Sequence, residues 1–164
     1  MDGAKLLCII GKMSEENIHQ IIISDPAVIY YLTGVSIQPG ERMLVLVLRQ
    51  DGNHRFFIND LFHQTRDLGV PITYYNDTED GVALVAKALI PGEAVAVDKN
   101  WPARFLLRLQ ELHTGKCVNS SSIVDGHHGV QGDDLFVALV LGLVLGGVLL
   151  LPGLLHLHAD GVVD

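Results

Sequence analysis

The stretch Ser24-Asp25-Pro26-Ala27-Val28-Ile29-Tyr30-Tyr31-Leu32-Thr33-Gly34 decides the fold. Ser24-Asp25-Pro26 combines a capping side chain with a proline at or near the first helical turn, where the missing proline N–H costs nothing. The pattern predicts a short helix through Tyr30 to Leu32, ended by Gly34. Immediately upstream, His19–Ser24 contains Ile21-Ile22-Ile23. A short β-branched run of this kind reads as an inner strand rather than a helix.

Working outward, Leu6, Leu7, Ile10 and Met13 recur at helical spacing, so Ala4–Met13 reads as an amphipathic helix. Downstream, Val35–Glu41 holds Pro39 and Gly40, lacks periodicity and reads as a surface loop. Met43–Leu48 and His54–Ile58 are apolar runs joined through Asp51-Gly52, the pair that supplies positive φ to a hairpin turn. A helix is expected near Asn59–Leu68, a strand near Ile72–Tyr75, and a helix over Thr78–Leu89 that Pro91-Gly92 stops. Ala94–Val97 is a short strand. Asn100-Trp101-Pro102 then opens a helix whose Phe105, Leu106, Leu109 and Leu112 line one face. After about Val118 the pattern changes, and Ser120–Ser122 is loop-like or helix-capping. Strands alternating with helices, with one antiparallel hairpin, imply an α/β domain with a mixed β-sheet flanked by helices. That domain covers residues 1–125, with 126–164 as a separate segment.

The length of 164 residues suits one core and is too short for a two-domain enzyme. A net charge of −8, from 19 acidic and 11 basic side chains with no Lys/Arg cluster, argues against a nucleic-acid partner. Cys8 and Cys117 lack disulfide-framework or zinc spacing, which fits a reducing cytoplasm. The apolar stretch Ala4–Gly11 is too short to span a bilayer and has no signal-peptide pattern.

Ser24-Asp25-Pro26, with Ile29 and Tyr31-Leu32-Thr33-Gly34, resembles the signature of the creatinase/prolidase N-terminal domain. The Pro39-Gly40-Glu41-Arg42 loop, the Asp51-Gly52 hairpin, Val95-Ala96-Val97-Asp98 and Ser122-Ile123-Val124-Asp125 follow in that family's order. The resemblance covers about three quarters of the chain. It implies a ribonuclease H-like fold and a parent enzyme acting on proline-containing peptides, a Xaa-Pro dipeptidase or aminopeptidase. A creatinase-like amidinohydrolase is the variant reading. In that family the chemistry lies in a following domain, where carboxylates and a histidine bind two divalent metals, manganese or cobalt, that activate water. The resemblance therefore implies no catalytic residue and no metal ligand in this chain. The N-terminal domain is expected to support a homodimer and to cover the partner's active site with the loop Val35–Arg42. On that loop Glu41 and Arg42 are the candidates to meet substrate, the alternative being ordinary solvated charges.

Other constellations carry less. His127-His128 and His156-x-His158, near Asp125, Asp133 and Asp134, lack zincin spacing and an accompanying Glu. Gly142, Gly146 and Gly147 match no phosphate-loop fingerprint, and Ser120–Ser122 with Asp125 and His127 has no nucleophile elbow. Leu135–Ala159 contains no Asp, Glu, Lys or Arg. With Leu135 to Leu157 it reaches the ~20 apolar residues that cross a bilayer, but without flanking basic residues or an aromatic belt. An apolar helix packed on the domain or on a second copy, a membrane segment, and an altered continuation of the chain all fit these letters. Two further readings stand beside the peptidase domain: a free-standing binding or dimerisation module of the same fold, and a membrane-tethered domain.

Overall fold

The computed structural model describes residues 1–125. The apolar segment 126–164, and with it the His127-His128 and His156-x-His158 pairs and the possible membrane stretch, lies outside the described residues.

Helix α1 (Gly3–Glu15) is capped by Asp2, whose Oδ1 accepts from the Ala4 and Lys5 amides at 3.1 and 3.3 Å. It ends in a Schellman turn. Asn17 adopts φ 55°, the Ile18 amide reaches back to the Met13 carbonyl at 2.8 Å, and the Asn17 amide reaches that of Ser14 at 3.2 Å. Strand β1 (Gln20–Ile23) runs into α2 (Pro26–Thr33) as the motif demands. Asp25 Oδ1 caps the Ala27 amide at 2.8 Å, Pro26 occupies the first turn, and Gly34 closes the helix at φ 70°. The hairpin is β2 (Val45–Arg49) with β3 (Arg55–Asn59), turning through Gly52 at φ 83°. Next come β4 (Ile72–Tyr75), α3 (Gly81–Ala88), β5 (Val95–Val97), α4 (Ala103–Leu112), β6 (Cys117–Asn119) and α5 (Ser121–Val124).

The six strands form one mixed sheet in the order β4-β3-β2-β1-β5-β6. β1–β2 and β2–β3 are antiparallel, while β1–β5, β3–β4 and β5–β6 are parallel. Side-chain alternation sorts the central strands onto two cores. Ile21, Ile23, Leu46, Leu48, Phe56 and Ile58 pack with Ile9 and Met13 of α1, Ile29 and Leu32 of α2, and Ile123 of α5. Ile22, Val45, Val47, Phe57, Val95 and Val97 pack with Val82 and Val85 of α3 and Leu109 of α4. Because both faces are covered, the central strands read as unbroken apolar runs instead of alternating ones. Gln20 of β1 is a polar exception at 0 % exposure. Its amide is satisfied by the turn beyond α3, donating to the Ile90 and Glu93 carbonyls at 3.2 and 3.3 Å and accepting from the Ile90 amide at 2.6 Å.

Two expectations need correction. The helix expected near Asn59–Leu68 is a single 3-10 turn, Asp60–Phe62, followed by irregular chain. Tertiary partners claim its backbone and side chains: the Gln64 amide donates to Tyr74 Oη at 2.9 Å, and Arg66 donates to the Thr33 and Gly34 carbonyls at 3.2 Å, capping the end of α2. Asp67 turns the chain by accepting from the Gly69 amide at 2.8 Å. The second correction is β6, a three-residue parallel edge strand where the sequence shows only a change of pattern. Ser120 follows it and does precede a helix, the short α5, but makes no side-chain cap bond.

Candidate functional site

The motifs that follow the neighbouring strands β1 and β5 meet at Asp98, just past β5. Its Oδ1 accepts from Ser24 Oγ at 2.7 Å and the Asn100 amide at 3.0 Å, and its Oδ2 accepts from the Asp25 amide at 2.9 Å and from the Ser24 amide. Asn100 Nδ2 returns a bond to Asp25 Oδ2 at 2.6 Å. Parallel pairing of β1 with β5 brings the two strand ends side by side, so Ser24-Asp25-Pro26 and Val95–Asp98 form one structural joint. Lys99 extends it to Asp125 at 2.6 Å.

The loop Val35–Arg42 leaves this joint through α2 and enters β2. Ile37, 4 % exposed, pins it to the core, and Gly40 at φ 61° turns it so that the Arg42 amide reaches the Pro39 carbonyl at 3.1 Å. The two predicted site residues are adjacent but differently employed. Arg42 grips Asp77 in a bidentate pair, Nε to Oδ1 at 2.9 Å and Nη2 to Oδ2 at 2.7 Å, and Asn59 Nδ2 adds a bond to Asp77 Oδ1 at 2.8 Å. These bonds raise the Arg42 pKa and hold the Asp77 carboxyl below the usual carboxylate range. Glu41 is exposed. Its carbonyl accepts from Arg104, and its carboxylate forms no ion pair with another described residue. Tyr75 Oη fastens the loop's exit by donating to the Met43 carbonyl at 2.5 Å.

Two clefts flank the loop. One, of about 290 Å³, lies on the side of the Asp98 joint and is lined by Ser24, Gln38, Pro39, Trp101 and Phe105 among others. The other, of about 430 Å³, lies between the loop's exit, the turn Asn76–Asp80 and α4. Arg42, Arg104 and Arg108 line it, together with Met43, Val82 and Phe105. Asp77, Asn59 and Arg104 were not singled out by sequence, because no local pattern marks a residue whose partner arrives through the sheet.

Among the described residues no three His, Cys, Asp or Glu side chains converge as a bound metal requires. No helix among them is long and apolar enough to cross a membrane.

Residues 6–127 match the family model of the Creatinase/Prolidase N-terminal domain. No curated protein matches the chain in sequence. Among solved structures, the Creatinase/Prolidase N-terminal domain of an X-Pro dipeptidase from Streptococcus pyogenes superposes with a TM-score of 0.67 at 25% identity, over 76% of this chain and 99% of that one. A proline dipeptidase from Streptococcus pneumoniae gives a TM-score of 0.69 at 25% identity, over 77% of this chain and 98% of that one. The dipeptidase PepE from Mycobacterium ulcerans gives 0.68 at 25% identity, over 82% of this chain but 38% of that longer one. With the family match spanning most of its length and the motif order intact in three dimensions, this chain belongs to the creatinase/prolidase N-terminal domain family.

Proposed function

We propose that this chain serves as the non-catalytic N-terminal domain of a proline-specific peptidase, a Xaa-Pro dipeptidase or aminopeptidase, working in the cytoplasm. The observation that carries the reading is the coverage of 99% of the Streptococcus pyogenes domain, itself taken from an X-Pro dipeptidase. Hydrolysis is assigned to a separate domain of the parent enzyme, where a pair of divalent ions such as manganese or cobalt would supply an activated water. The role of this domain is to support a homodimer and to lay the loop Val35–Arg42 over the partner's active site.

The bidentate bond to Asp77 makes Arg42 a clamp that positions the loop, and leaves the Glu41 carboxylate to face a proline-containing peptide or its neighbour. Three measurements test the proposal. The purified chain, supplied with manganese or cobalt, is expected to show no Xaa-Pro hydrolysis; turnover that tracks the protein overturns the non-catalytic role. Sedimentation is expected to give a dimer, and a monomer at all concentrations overturns the assembly. Asp77→Asn is expected to speed amide exchange at 38–42 while leaving the core amides slow; unchanged exchange in the loop removes the clamp.

A further inference from the structure

A further cleft, of about 330 Å³, opens at the sheet edge between α4 and the outermost strand β6, and shares no residue with the loop Val35–Arg42. Its walls are apolar, from Val97, Trp101, Leu106, Cys117 and Val118. Its two charges are matched: Asp98 accepts the four bonds of the signature joint, and Lys99 pairs with Asp125 at 2.6 Å. Three hydrogen-bonding groups of the lining, in contrast, are unused among the described residues. The Gln110 carboxamide is exposed on α4 and bonds to no other described residue. Asn119 accepts from the Ser121 amide at 2.9 Å through Oδ1, which leaves its Nδ2 as a donor. Trp101 is only 6 % exposed, yet its indole Nε1 has no acceptor, and a buried donor without one is rare. A volume of this size falls within the range of small-molecule sites, where an apolar lining gives affinity and a few polar groups fix orientation.

We propose that this cleft binds a neutral planar heterocycle with adjacent N–H and C=O groups, the edge of a pyrimidine base such as uracil. A carboxamide offers one donor and one acceptor side by side, the complement of that edge, and Gln110 supplies it. The flat ring lies against the indole and Leu106, since every base has a face that stacks on an aromatic side chain. The ring's second carbonyl supplies the acceptor that Trp101 Nε1 and Asn119 Nδ2 lack. With Lys99 already paired and a net charge of −8 on the chain, nothing in the cleft rewards a phosphate. The ligand is therefore the free base or nucleoside, not the nucleotide. No residue of the cleft takes part in the covering role, so failure of this site would leave that role standing.

The test titrates the full chain with uracil and follows the emission of Trp101, the sole tryptophan. In parallel, a disulfide reagent labels Cys117 in a Cys8→Ser background, which removes the other thiol. A saturable emission change is expected, with Cys117 labelling slowed in proportion to occupancy. Dimethyluracil, methylated on both ring nitrogens, keeps the ring but loses its donors, and is expected to bind about fivefold more weakly, the loss of one hydrogen bond. Uridine and uridine monophosphate are expected to bind alike. Gln110→Leu, on the exposed side of α4, is expected to lower the affinity for uracil to that for dimethyluracil, an equality that general unfolding would not produce. The proposal is overturned by any of the following: no saturable change, saturation without protection of Cys117, dimethyluracil binding as tightly as uracil, the monophosphate binding more tightly than the nucleoside, or a Gln110→Leu variant that still prefers uracil. The ligand comparisons on the unsubstituted chain decide the matter even if a variant fails to fold.

Discussion

Replacing Asp98 measures how much of the domain depends on the joint between its two signature motifs. The carboxylate accepts four bonds, from the Ser24 amide and hydroxyl and from the Asp25 and Asn100 amides. Bonds to a charged acceptor contribute about 1.5–3 kcal/mol each, less where water can take over. Asn100 is exposed and is resolvated on loss of its partner, whereas Ser24 is only 8 % exposed and its donors are stranded. Asp98→Ala is therefore expected to cost about 3 kcal/mol, most of it from the Ser24 and Asp25 donors. Against a typical total of about 5–15 kcal/mol, that is a large fraction of the stability. Asp98→Asn discriminates geometry from charge. Both carboxylate oxygens face backbone N–H groups, so either amide orientation sets an NH₂ against a donor, and a loss of about 2 kcal/mol is expected. Ser24→Ala removes only the hydroxyl bond and is expected to cost about 1 kcal/mol. Urea unfolding of the full chain, followed by Trp101 emission, reads all three. If Asp98→Ala shifts stability by less than about 0.5 kcal/mol, the range of an ordinary surface change, the joint does not hold the motifs together.

Two further outcomes follow from the packing. At Gly115 an added Cβ would strike the Glu93 carbonyl and His113 Nε2, which are bonded to each other at 2.9 Å, so Gly115→Ala is expected to lower stability by about 1–3 kcal/mol, with Gly92→Ser, whose Cβ meets open space but must tolerate φ 78°, as a contrast that leaves the His113 bond intact by NMR. His54 Nδ1 accepts from the Arg49 amide at 3.2 Å, and burial pushes its pKa below the usual 6.5 although Asp51 pulls it back up. Since the unfolded chain then binds the proton more readily, the contribution of neutral His54 is full above pH 6.5 and is lost as pH falls toward the lower folded value; unfolding curves from about pH 8 to about pH 5 should steepen in their pH dependence relative to His54→Gln, and identical slopes would contradict the assignment.

The parts of the fold visible in the letters are those whose physics is local. Asp25-Pro26 and Gly34 bound α2 because a cap, a proline and a left-handed residue act within one turn. Asp51-Gly52 marks the hairpin for the same reason. Asn59–Leu68 misleads because its helical composition competes with bonds to Tyr74 and to the end of α2, which belong to other parts of the chain. β6 is three residues long on a sheet edge, too short for periodicity to register.

The same distinction governs the loop. Whether Arg42 is free to meet a ligand depends on Asp77, and nothing near either residue announces the pair. Its origin is the sheet. Antiparallel β2 and β3 match Val45 with Phe57, which places the loop's exit at Met43 beside Asn59. Parallel β3 and β4 match Asn59 with Tyr75, so the chain leaving β4 delivers Asp77 to Asn59 and, beyond it, to Arg42. Two strand registers thus convert a loop arginine into an anchor. The neighbouring helix α4 then contributes Arg104, whose charge is not matched by a described carboxylate. A charged residue named from a loop motif is consequently a candidate position, and its availability is set by which strand ends the topology brings beside it.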